Sequence, residues 1–159
     1  NGIYENPYTF SKDIGEQLCE MYYRVYDVET RICRFYNVYG DSQLTEGEYA
    51  AVVGIFLEQY KHNKPLTITG DGEQRRDFTH VDAIVDGMFL SMSKEFGTYE
   101  LGSGVNYSIN ELANMFGEDY PKEYIEERVG EARETLCKKP DLLLVKNNLE
   151  DYIKGEISE

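Results

Sequence analysis

Residues 65–81 of the chain read PLTITGDGEQRRDFTHV, and this stretch decides how the rest of the sequence is interpreted. Its first part, Leu66–Thr69, is rich in β-branched and apolar residues, which favours a strand. The GDGE at 70–73 predicts a turn, and residues 77–81 read as a second short strand. From Val81 onward the apolar residues recur at helical spacing. The stretch therefore predicts a strand, a turn, a strand and a helix in succession.

The same alternation of helices and strands continues on both sides of this stretch. Asn6-Pro7 predicts the start of a helix that runs from Pro7 to Tyr26. Ser108 and Glu111 have the spacing of a capping box, which predicts a further helix through about Phe116. The other predicted elements are strands at 30–35, 98–101 and 123–129, a helix at 52–60, a loop at 39–41 and a helical tail at 142–145 and 149–153. This alternation indicates an α/β fold, and the short strands are compatible with two small sheets instead of one.

Composition and charge narrow the classes of partner. The formal net charge is −14, from 30 acidic and 16 basic residues. This excess disfavours nucleic acid and an anionic membrane, although a few converging arginines can still bind a phosphorylated small molecule. Three cysteines without C-x-x-C spacing indicate reduced thiols in a cytoplasmic protein, and two histidines argue against a zinc site. The chain does not begin with Met and a functional pattern starts almost at once, so we expect it to be N-terminally truncated.

A tyrosine and a lysine four residues apart, Tyr8 and Lys12, lie on one face of the first predicted helix. Removing a proton from a sugar hydroxyl requires a base, and a nearby ammonium ion stabilises the phenolate form of a tyrosine. The spacing alone is weak evidence, because this composition gives about one such pair by chance. Tyr60 and Lys64 form a second pair, which we interpret as structural because Tyr60 belongs to the apolar stripe of a helix that Pro65 ends.

The segments around these residues resemble those of the extended short-chain dehydrogenases/reductases, the family of NAD-dependent epimerases and dehydratases. The matching segments are Pro7-Tyr8 with Ser11-Lys12 (P-Y-x-x-S-K), residues 34–40 (R-x-x-N-V-Y-G), residues 65–81, residues 101–113 and residues 128–133. They follow the family's order over nearly the whole chain, and the similarity is greatest to UDP-glucose and other UDP-sugar 4-epimerases. The resemblance implies the last part of a Rossmann-type doubly wound domain at residues 1–40. Residues 41–159 would form mainly the small α/β substrate-binding domain, with some segments returning to the Rossmann sheet.

The resemblance also implies a role for individual residues. Tyr8 would take the proton from the sugar 4-hydroxyl while hydride passes to NAD, and Lys12 would bind the nicotinamide ribose and tune Tyr8. The implied substrate contacts are Asn37, Arg76 and Arg128 for the diphosphate, Glu131 for the nucleotide ribose, and Thr67 and Thr69 for the base. A guanidinium fork matches phosphate oxygens, which agrees with the two arginines. The implied ligand is a nucleotide-diphosphate sugar, foremost a UDP-sugar, and the implied assembly is a homodimer through the catalytic helix.

Simpler local interpretations of the same residues stay open. Arg76 and Arg128 are also explained as surface ion-pair partners among the 30 acids. Asn37 is also explained as a turn residue, and Arg75 is expected to be solvated. Residues 102–104, GSG, predict a turn from a strand into a loop, with no helix directly behind it to bind an anion.

Several features depart from the family pattern. The sequence contains no G-x-x-G-x-x-G loop, and the family's catalytic Ser or Thr, which precedes the Tyr, is missing as well. The NAD site is therefore expected to be incomplete and the chain inactive alone. Ala83 stands where the family usually has an acid, and Thr69 where an aromatic residue is common. Two alternatives remain: a nucleotide-sugar 4,6-dehydratase or decarboxylase on the same scaffold, and a non-enzymatic nucleotide-sugar-binding module that pairs with a separate Rossmann-type chain.

Overall fold

Helices and short strands alternate along the chain, as the sequence predicts. The computed structural model describes residues 6–47, 50–127, 130–142 and 148–158. The helices within those ranges are α1 (Pro7–Tyr26), α2 (Val52–Lys61), α3 (Val81–Ser91), α4 (Ile109–Asn114) and α5 (Leu149–Glu156). The strands are β1 (Arg31–Phe35), β2 (Asn37–Tyr39), β3 (Leu66–Thr69), β4 (Arg75–His80), β5 (Gly97–Leu101), β6 (Asn106–Ser108) and β7 (Lys122–Ile125). The α/β class is confirmed.

The described strands form three small sheets, where the sequence suggested two. β1 pairs in parallel with β5, and β3 pairs in parallel with β7. In the third sheet β4 lies between β2, to which it is parallel, and β6, to which it is antiparallel. Only Tyr36 separates β1 from β2, so one extended segment crosses from the first sheet into the second. The loop predicted at 39–41 is wrong at its first residue, because Tyr39 belongs to β2 and is buried.

The main core lies where α2, α4 and α5 pack on β3 and β4. Leu66 and Ile68 of β3 point into it and are fully buried, while Thr67 and Thr69, which alternate with them along the strand, face the other way. Phe78 is the buried apolar residue that β4 contributes. The helices add Val53, Phe56, Leu112, Ala113, Phe116, Leu149 and Ile153.

A carboxylate inside the fold joins three distant segments beside this core. Asp77 of β4 has no exposed surface. Its Oδ1 accepts hydrogen bonds from the backbone N–H (2.8 Å) and hydroxyl (2.6 Å) of Ser103. Its Oδ2 accepts from the backbone N–H groups of Gly104 and Cys137, both at 3.0 Å. The segment after β5 is thus a turn, as predicted, and Asp77 holds it against β4. A side chain on Gly102 would overlap Cys137, so this turn also requires a glycine.

Helix α1 has the predicted bounds because its ends are encoded locally. The side chain of Asn6 accepts a hydrogen bond from the backbone N–H of Thr9 at 2.9 Å, and Pro7 occupies the first turn. The helix stops at Asp27, whose φ of 53° is left-handed. None of its residues is buried. Its apolar stripe remains exposed at Ile14, Leu18, Tyr22 and Val25.

The C-terminal predictions are met in part. The capping box is confirmed, since Ser108 and Glu111 exchange both hydrogen bonds, and α4 ends at Asn114. β7 ends at Ile125, short of the predicted strand at 123–129, whose last two residues lie outside the described ranges. A helix at 149–153 is confirmed as part of α5. Leu142 is not helical, since its φ is 57°, and residues 143–145 are not described.

Candidate functional site

A cavity of about 230 Å³ opens between β2, β3, β4 and the start of α2. Its volume is a little below the ~300–1,000 Å³ usual for a complete ligand site. Five of the six residues predicted to bind substrate line it: Asn37, Thr67, Thr69, Arg76 and Glu131. The sixth, Arg128, lies outside the described residues. The rest of the lining is Val38, Ala50, Ala51, Val52, Val53, Ile55, Gln74, Phe78, Ile109 and Ile125.

Arg76 supplies the positive charge of the cavity wall. Its side chain is only 9% exposed, and its Nη2 lies 2.7 Å from Oε1 of Glu131. The second terminal nitrogen, Nη1, donates to the carbonyl of Arg75 at 2.8 Å. A buried cation requires a partner, and Glu131 is that partner here. Arg76 is therefore an ion-pair residue, but the pair belongs to a cavity and not to the open surface.

Arg75, predicted to be solvated, has 37% of its side chain exposed, but it also makes contacts that the prediction did not include. Its Nε donates to Oδ1 of Asn106 at 2.9 Å, and its Nη2 donates to the Asn106 carbonyl at the same distance. Nη2 also lies 2.9 Å from Oε2 of Glu111. The cause is the pairing of β4 with β6, which sets Arg75 opposite Ser108 at the start of α4. Arg75 thus holds β6 and α4 to β4.

Asn37 begins β2 and is not a turn residue. It lies opposite Phe78 of β4, and its Oδ1 accepts a hydrogen bond from the hydroxyl of Thr135 at 3.3 Å. The segment around residue 135 also reaches β4, because the backbone N–H of Thr135 donates to the carbonyl of Arg75 at 3.0 Å. The chain that carries Glu131 is therefore held against the same strands as Asn37 and Arg76.

The amide of Gln59 fixes Thr67 at the cavity wall. Its Oε1 accepts from the backbone N–H of Thr67 at 3.1 Å, and its Nε2 donates to the Thr67 hydroxyl at 2.8 Å. Gln74, which is 7% exposed, donates from Nε2 to the carbonyl of Thr69 at 2.9 Å. The sequence analysis missed both glutamines. For Gln59 a signal existed: it follows Ile55 and Phe56 at helical spacing, so it is a polar residue on the inner face of α2.

Tyr8 and Lys12 line a different space, an open groove of about 760 Å³ between α1 and β1. Both side chains lie on the same face of α1, with the Lys12 Nζ 5.1 Å from the centre of the Tyr8 ring. Tyr8 is 68% exposed. The structure therefore brings the pair together but does not bring it into the cavity with Arg76. The second Tyr/Lys pair is structural, as interpreted, because the Tyr60 ring packs against Phe116 and Tyr120 with centroids 5.7 and 4.9 Å apart.

The described residues contain neither a cluster of metal ligands nor a membrane-spanning helix. Within them no group of three or more histidine, cysteine or acidic side chains is arranged to hold a metal ion. None of the helices within the described ranges has the length and hydropathy that would let it cross a membrane.

Sequence comparison relates the chain to enzymes that act on nucleotide sugars. A family model described as "NAD dependent epimerase/dehydratase family" matches residues 4–102. A putative UDP-glucose 4-epimerase from Methanocaldococcus jannaschii is 36% identical over 110 residues, 69% of this chain and 36% of that protein. UDP-glucuronic acid decarboxylase 4 from Arabidopsis thaliana is 33% identical over 144 residues, 89% of this chain and 32% of that protein. The chain thus spans about a third of the length of these relatives.

Solved structures show the same relationship in three dimensions. UDP-glucose 4-epimerase from Thermotoga maritima, crystallised with UDP-glucose, superposes with a TM-score of 0.84 at 26% identity over 99% of this chain and 57% of that one. UDP-glucuronic acid 4-epimerase from Bacillus cereus, in complex with UDP-glucuronic acid and NAD, gives 0.82 at 27% identity over 99% and 53%. The expected fold, the end of a Rossmann-type domain with a small α/β domain, is confirmed. The boundary at residues 40 and 41 stays a prediction.

Proposed function

Because the chain belongs to the NAD-dependent epimerase/dehydratase family, we propose that it forms the nucleotide-sugar-binding part of a UDP-sugar 4-epimerase. The observation that carries the proposal is the convergence of Asn37, Thr67, Thr69, Arg76 and Glu131 on one cavity. These residues are spread over more than 90 positions of the sequence, from 37 to 131. Chance pairs of the kind seen at Tyr60 and Lys64 do not produce such convergence.

In this proposal Arg76 and Asn37 hold the diphosphate. The guanidinium of Arg76 is already positioned by its neighbours, so little side-chain entropy is lost when a phosphate binds. Glu131 leaves one carboxylate oxygen for the hydroxyls of the nucleotide ribose while the other pairs with Arg76. Arg128, which the structure does not describe, is the second diphosphate arginine. Thr67 and Thr69 contact the base beside the apolar wall that Ile55, Ile109 and Ile125 provide.

The chemistry belongs to Tyr8 and Lys12. Tyr8 removes the proton from the sugar 4-hydroxyl and returns a proton to the same oxygen at the end of the cycle. The ammonium of Lys12 stabilises the phenolate and binds the nicotinamide ribose. The pair fits one side of a dinucleotide site, because both side chains face an open groove beside β1. NAD, when bound there, supplies the reversible hydride acceptor. The sequence has no glycine-rich loop to bind the rest of the dinucleotide, so turnover requires a dinucleotide-binding part in addition to this chain.

One observation favours a UDP-sugar decarboxylase as a second candidate. The match to the Arabidopsis decarboxylase covers 89% of the chain, whereas the match to the Methanocaldococcus epimerase covers 69%. The similarity to the decarboxylase therefore reaches into the C-terminal segment. Assaying 4-epimerisation of UDP-glucose and release of CO₂ from UDP-glucuronic acid, with the dinucleotide-binding part supplied, separates the two reactions.

Calorimetric titration with UDP-glucose and with NAD tests the binding proposal. We expect the chain to bind UDP-glucose and to bind NAD much more weakly. Arg76→Met should weaken UDP-glucose binding by about tenfold to a hundredfold, because a hydrogen-bonded charge contact contributes about 1.5–3 kcal/mol. Arg133→Met is the matched control, since Arg133 forms an exposed ion pair with Asp71 and does not line the cavity. Equal effects of the two substitutions, or no binding of UDP-glucose, would contradict the proposal. Binding of neither ligand would also remove the case for a non-enzymatic nucleotide-sugar-binding module.

A further inference from the structure

A bidentate ion pair joins helix α1 to strand β1. The Nε of Arg34 donates to Oε1 of Glu16 at 2.7 Å, and its Nη2 donates to Oε2 of the same carboxylate at 2.6 Å. Two parallel hydrogen bonds between planar groups fix their mutual orientation as well as their distance. A single ammonium in place of the guanidinium would fix only the distance. The pair therefore determines how this part of α1 lies on the strand.

The guanidinium of Arg34 is itself held by the neighbouring strand. Arg34 lies opposite Glu100 in the pairing of β1 with β5, and its Nη1 is 3.4 Å from Oε1 of Glu100. The other oxygen of Glu100, Oε2, accepts a hydrogen bond from the hydroxyl of Tyr36 at 3.2 Å. The sheet thus determines where the guanidinium lies, and Glu16 attaches α1 to it.

Glu16 lies on the face of α1 that carries the proposed catalytic pair. It follows Lys12 by four residues and Tyr8 by eight, which is the spacing of one helix face, and all three line the groove beside β1. No residue of α1 is buried, so apolar packing contributes little to the position of this face. Toward the other end of the helix the Tyr23 ring stacks on Phe96, with ring centroids 4.0 Å apart. Of these two attachments, Glu16 is the one nearer to the pair.

The length of the helix makes this attachment important for Tyr8. About four turns, or about 22 Å along the helix axis, separate Tyr8 from Tyr23. A tilt of α1 by about 3° around the Tyr23 stack would therefore move Tyr8 by about 1 Å. A displacement of that size can lower the rate of a positioned reaction by about a hundredfold. The ion pair at Glu16 restricts this tilt, because it lies between the stack and Tyr8.

We propose that Arg34 is a positioning residue for the Tyr8/Lys12 pair and that it acts through Glu16. By holding this face of α1 on β1, it keeps the phenol and the ammonium where the reaction requires them. The inference rests on the proposed function, since it assumes that Tyr8 is the base, and it adds a residue that acts on the pair through a second side chain. Because 49% of the Arg34 side chain is exposed, loss of the ion pair should hardly change the urea midpoint. The effect should appear in geometry and rate.

Residual dipolar couplings, which report the orientation of amide N–H bonds, test the geometry in this chain alone. In the unaltered chain the couplings of α1 should fit the same alignment as those of β1 and β5. Arg34→Met and Glu16→Met should each reduce the α1 couplings or change their fit, and the double variant should do no more, because all three remove the same contact. Arg31→Met is the matched control, since Arg31 lies on the same strand but binds Glu29 and the carbonyl of Lys94, outside α1. Unchanged α1 couplings in Arg34→Met would overturn the inference, and should that variant fail to fold, Glu16→Met decides by the same criterion.

Turnover of UDP-glucose, with a dinucleotide-binding part supplied, tests the effect on the reaction. We expect Arg34→Met to lower kcat by about tenfold to a hundredfold and to leave KM unchanged, because the residues of the cavity are not altered. Arg34→Lys should recover part of the loss, since an ammonium binds the carboxylate as a point charge. If α1 reorients while kcat stays the same, Arg34 is merely structural and the inference is overturned, whereas the proposed function stands. If the unaltered chain gives no turnover, the proposed function is wrong and the role of Arg34 in the reaction is overturned with it.

Discussion

Replacing Asp77 by asparagine tests how strongly one buried carboxylate holds β4 to the segment after β5 and to the segment that carries Cys137. The carboxylate has no exposed surface and accepts from Ser103, Gly104 and Cys137. In Asp77→Asn one of the two oxygens becomes an NH₂ group, which cannot accept. In either orientation the NH₂ group faces at least one backbone N–H, and on the Oδ2 side it faces two. The shape of the side chain hardly changes, so the effect reports hydrogen bonding and charge and not packing.

The expected loss of stability follows from the number of N–H groups that are left without an acceptor. Each buried donor left without an acceptor costs about 1–3 kcal/mol, and the remaining bonds lose their charged partner. We therefore expect Asp77→Asn to lower the free energy of unfolding by about 3–5 kcal/mol. The assay is urea unfolding monitored by circular dichroism. The dependence of the unfolding free energy on urea concentration should be the same in the variant and the unaltered chain. Asp71→Asn is the control, since that carboxylate is exposed and pairs with Arg133 on the surface, and its effect should be much smaller. A loss below about 1 kcal/mol for Asp77→Asn would refute the reasoning.

Three further predictions concern other parts of the fold. A hydrogen bond from the backbone N–H of Ser108 lowers the pKa of Glu111 below its usual 4.5. The stabilising effect of this carboxylate is therefore complete above that value and is lost as the pH falls through the lowered pKa, so Glu111→Gln should flatten the acid side of the pH dependence of the urea midpoint. Gly102→Ala should lower the free energy of unfolding by about 1–3 kcal/mol, because the added methyl group overlaps Cys137. Gly15→Ala in α1, where nothing lies within 4 Å, should raise it by about 0.5–1 kcal/mol in the same unfolding assay. If the chain forms a homodimer through α1, Leu18→Glu on its exposed apolar stripe should shift sedimentation toward the monomer, and unchanged sedimentation of a dimeric sample would contradict the use of that face.

The sequence predicts well those features that are encoded by residues close together in the chain. The bounds of α1 follow from Asn6-Pro7 at one end and an apolar stripe along its length, and the capping box of α4 lies within four residues. The strands β2 and β6 were missed because each has only three residues and exists through its pairing with β4. A segment of that length carries no periodic signal of its own.

The same distinction explains which parts of the site were foreseen. The five cavity residues were found because the family resemblance carries information about distant positions that spacing and periodicity do not. The bonds of Gln59 to Thr67 span eight residues across the end of a helix, and those of Asp77 reach Ser103 and Cys137, 26 and 60 residues away. The partners of Arg75 were missed for the same reason, since Asn106 and Glu111 lie in β6 and α4. Polar residues in strands carry no mark in a single sequence that distinguishes solvation from a buried network.

The proposed activity has two parts, nucleotide binding and proton transfer, and this chain supplies the groups for the first more completely than for the second. The walls of the cavity come from β2, β3 and β4, and they are fixed from within the chain by the ion pair of Arg76 with Glu131 and by the amides of Gln59 and Gln74. Tyr8, by contrast, is 68% exposed on a helix without a single buried residue. The proposed nucleotide binding therefore uses groups of the described residues that are already in position, whereas the proposed proton transfer requires a second surface that desolvates Tyr8 and aligns a dinucleotide beside it. Nucleotide-sugar binding should accordingly be measurable in this chain by itself, and turnover should appear only when a dinucleotide-binding part covers α1 and β1.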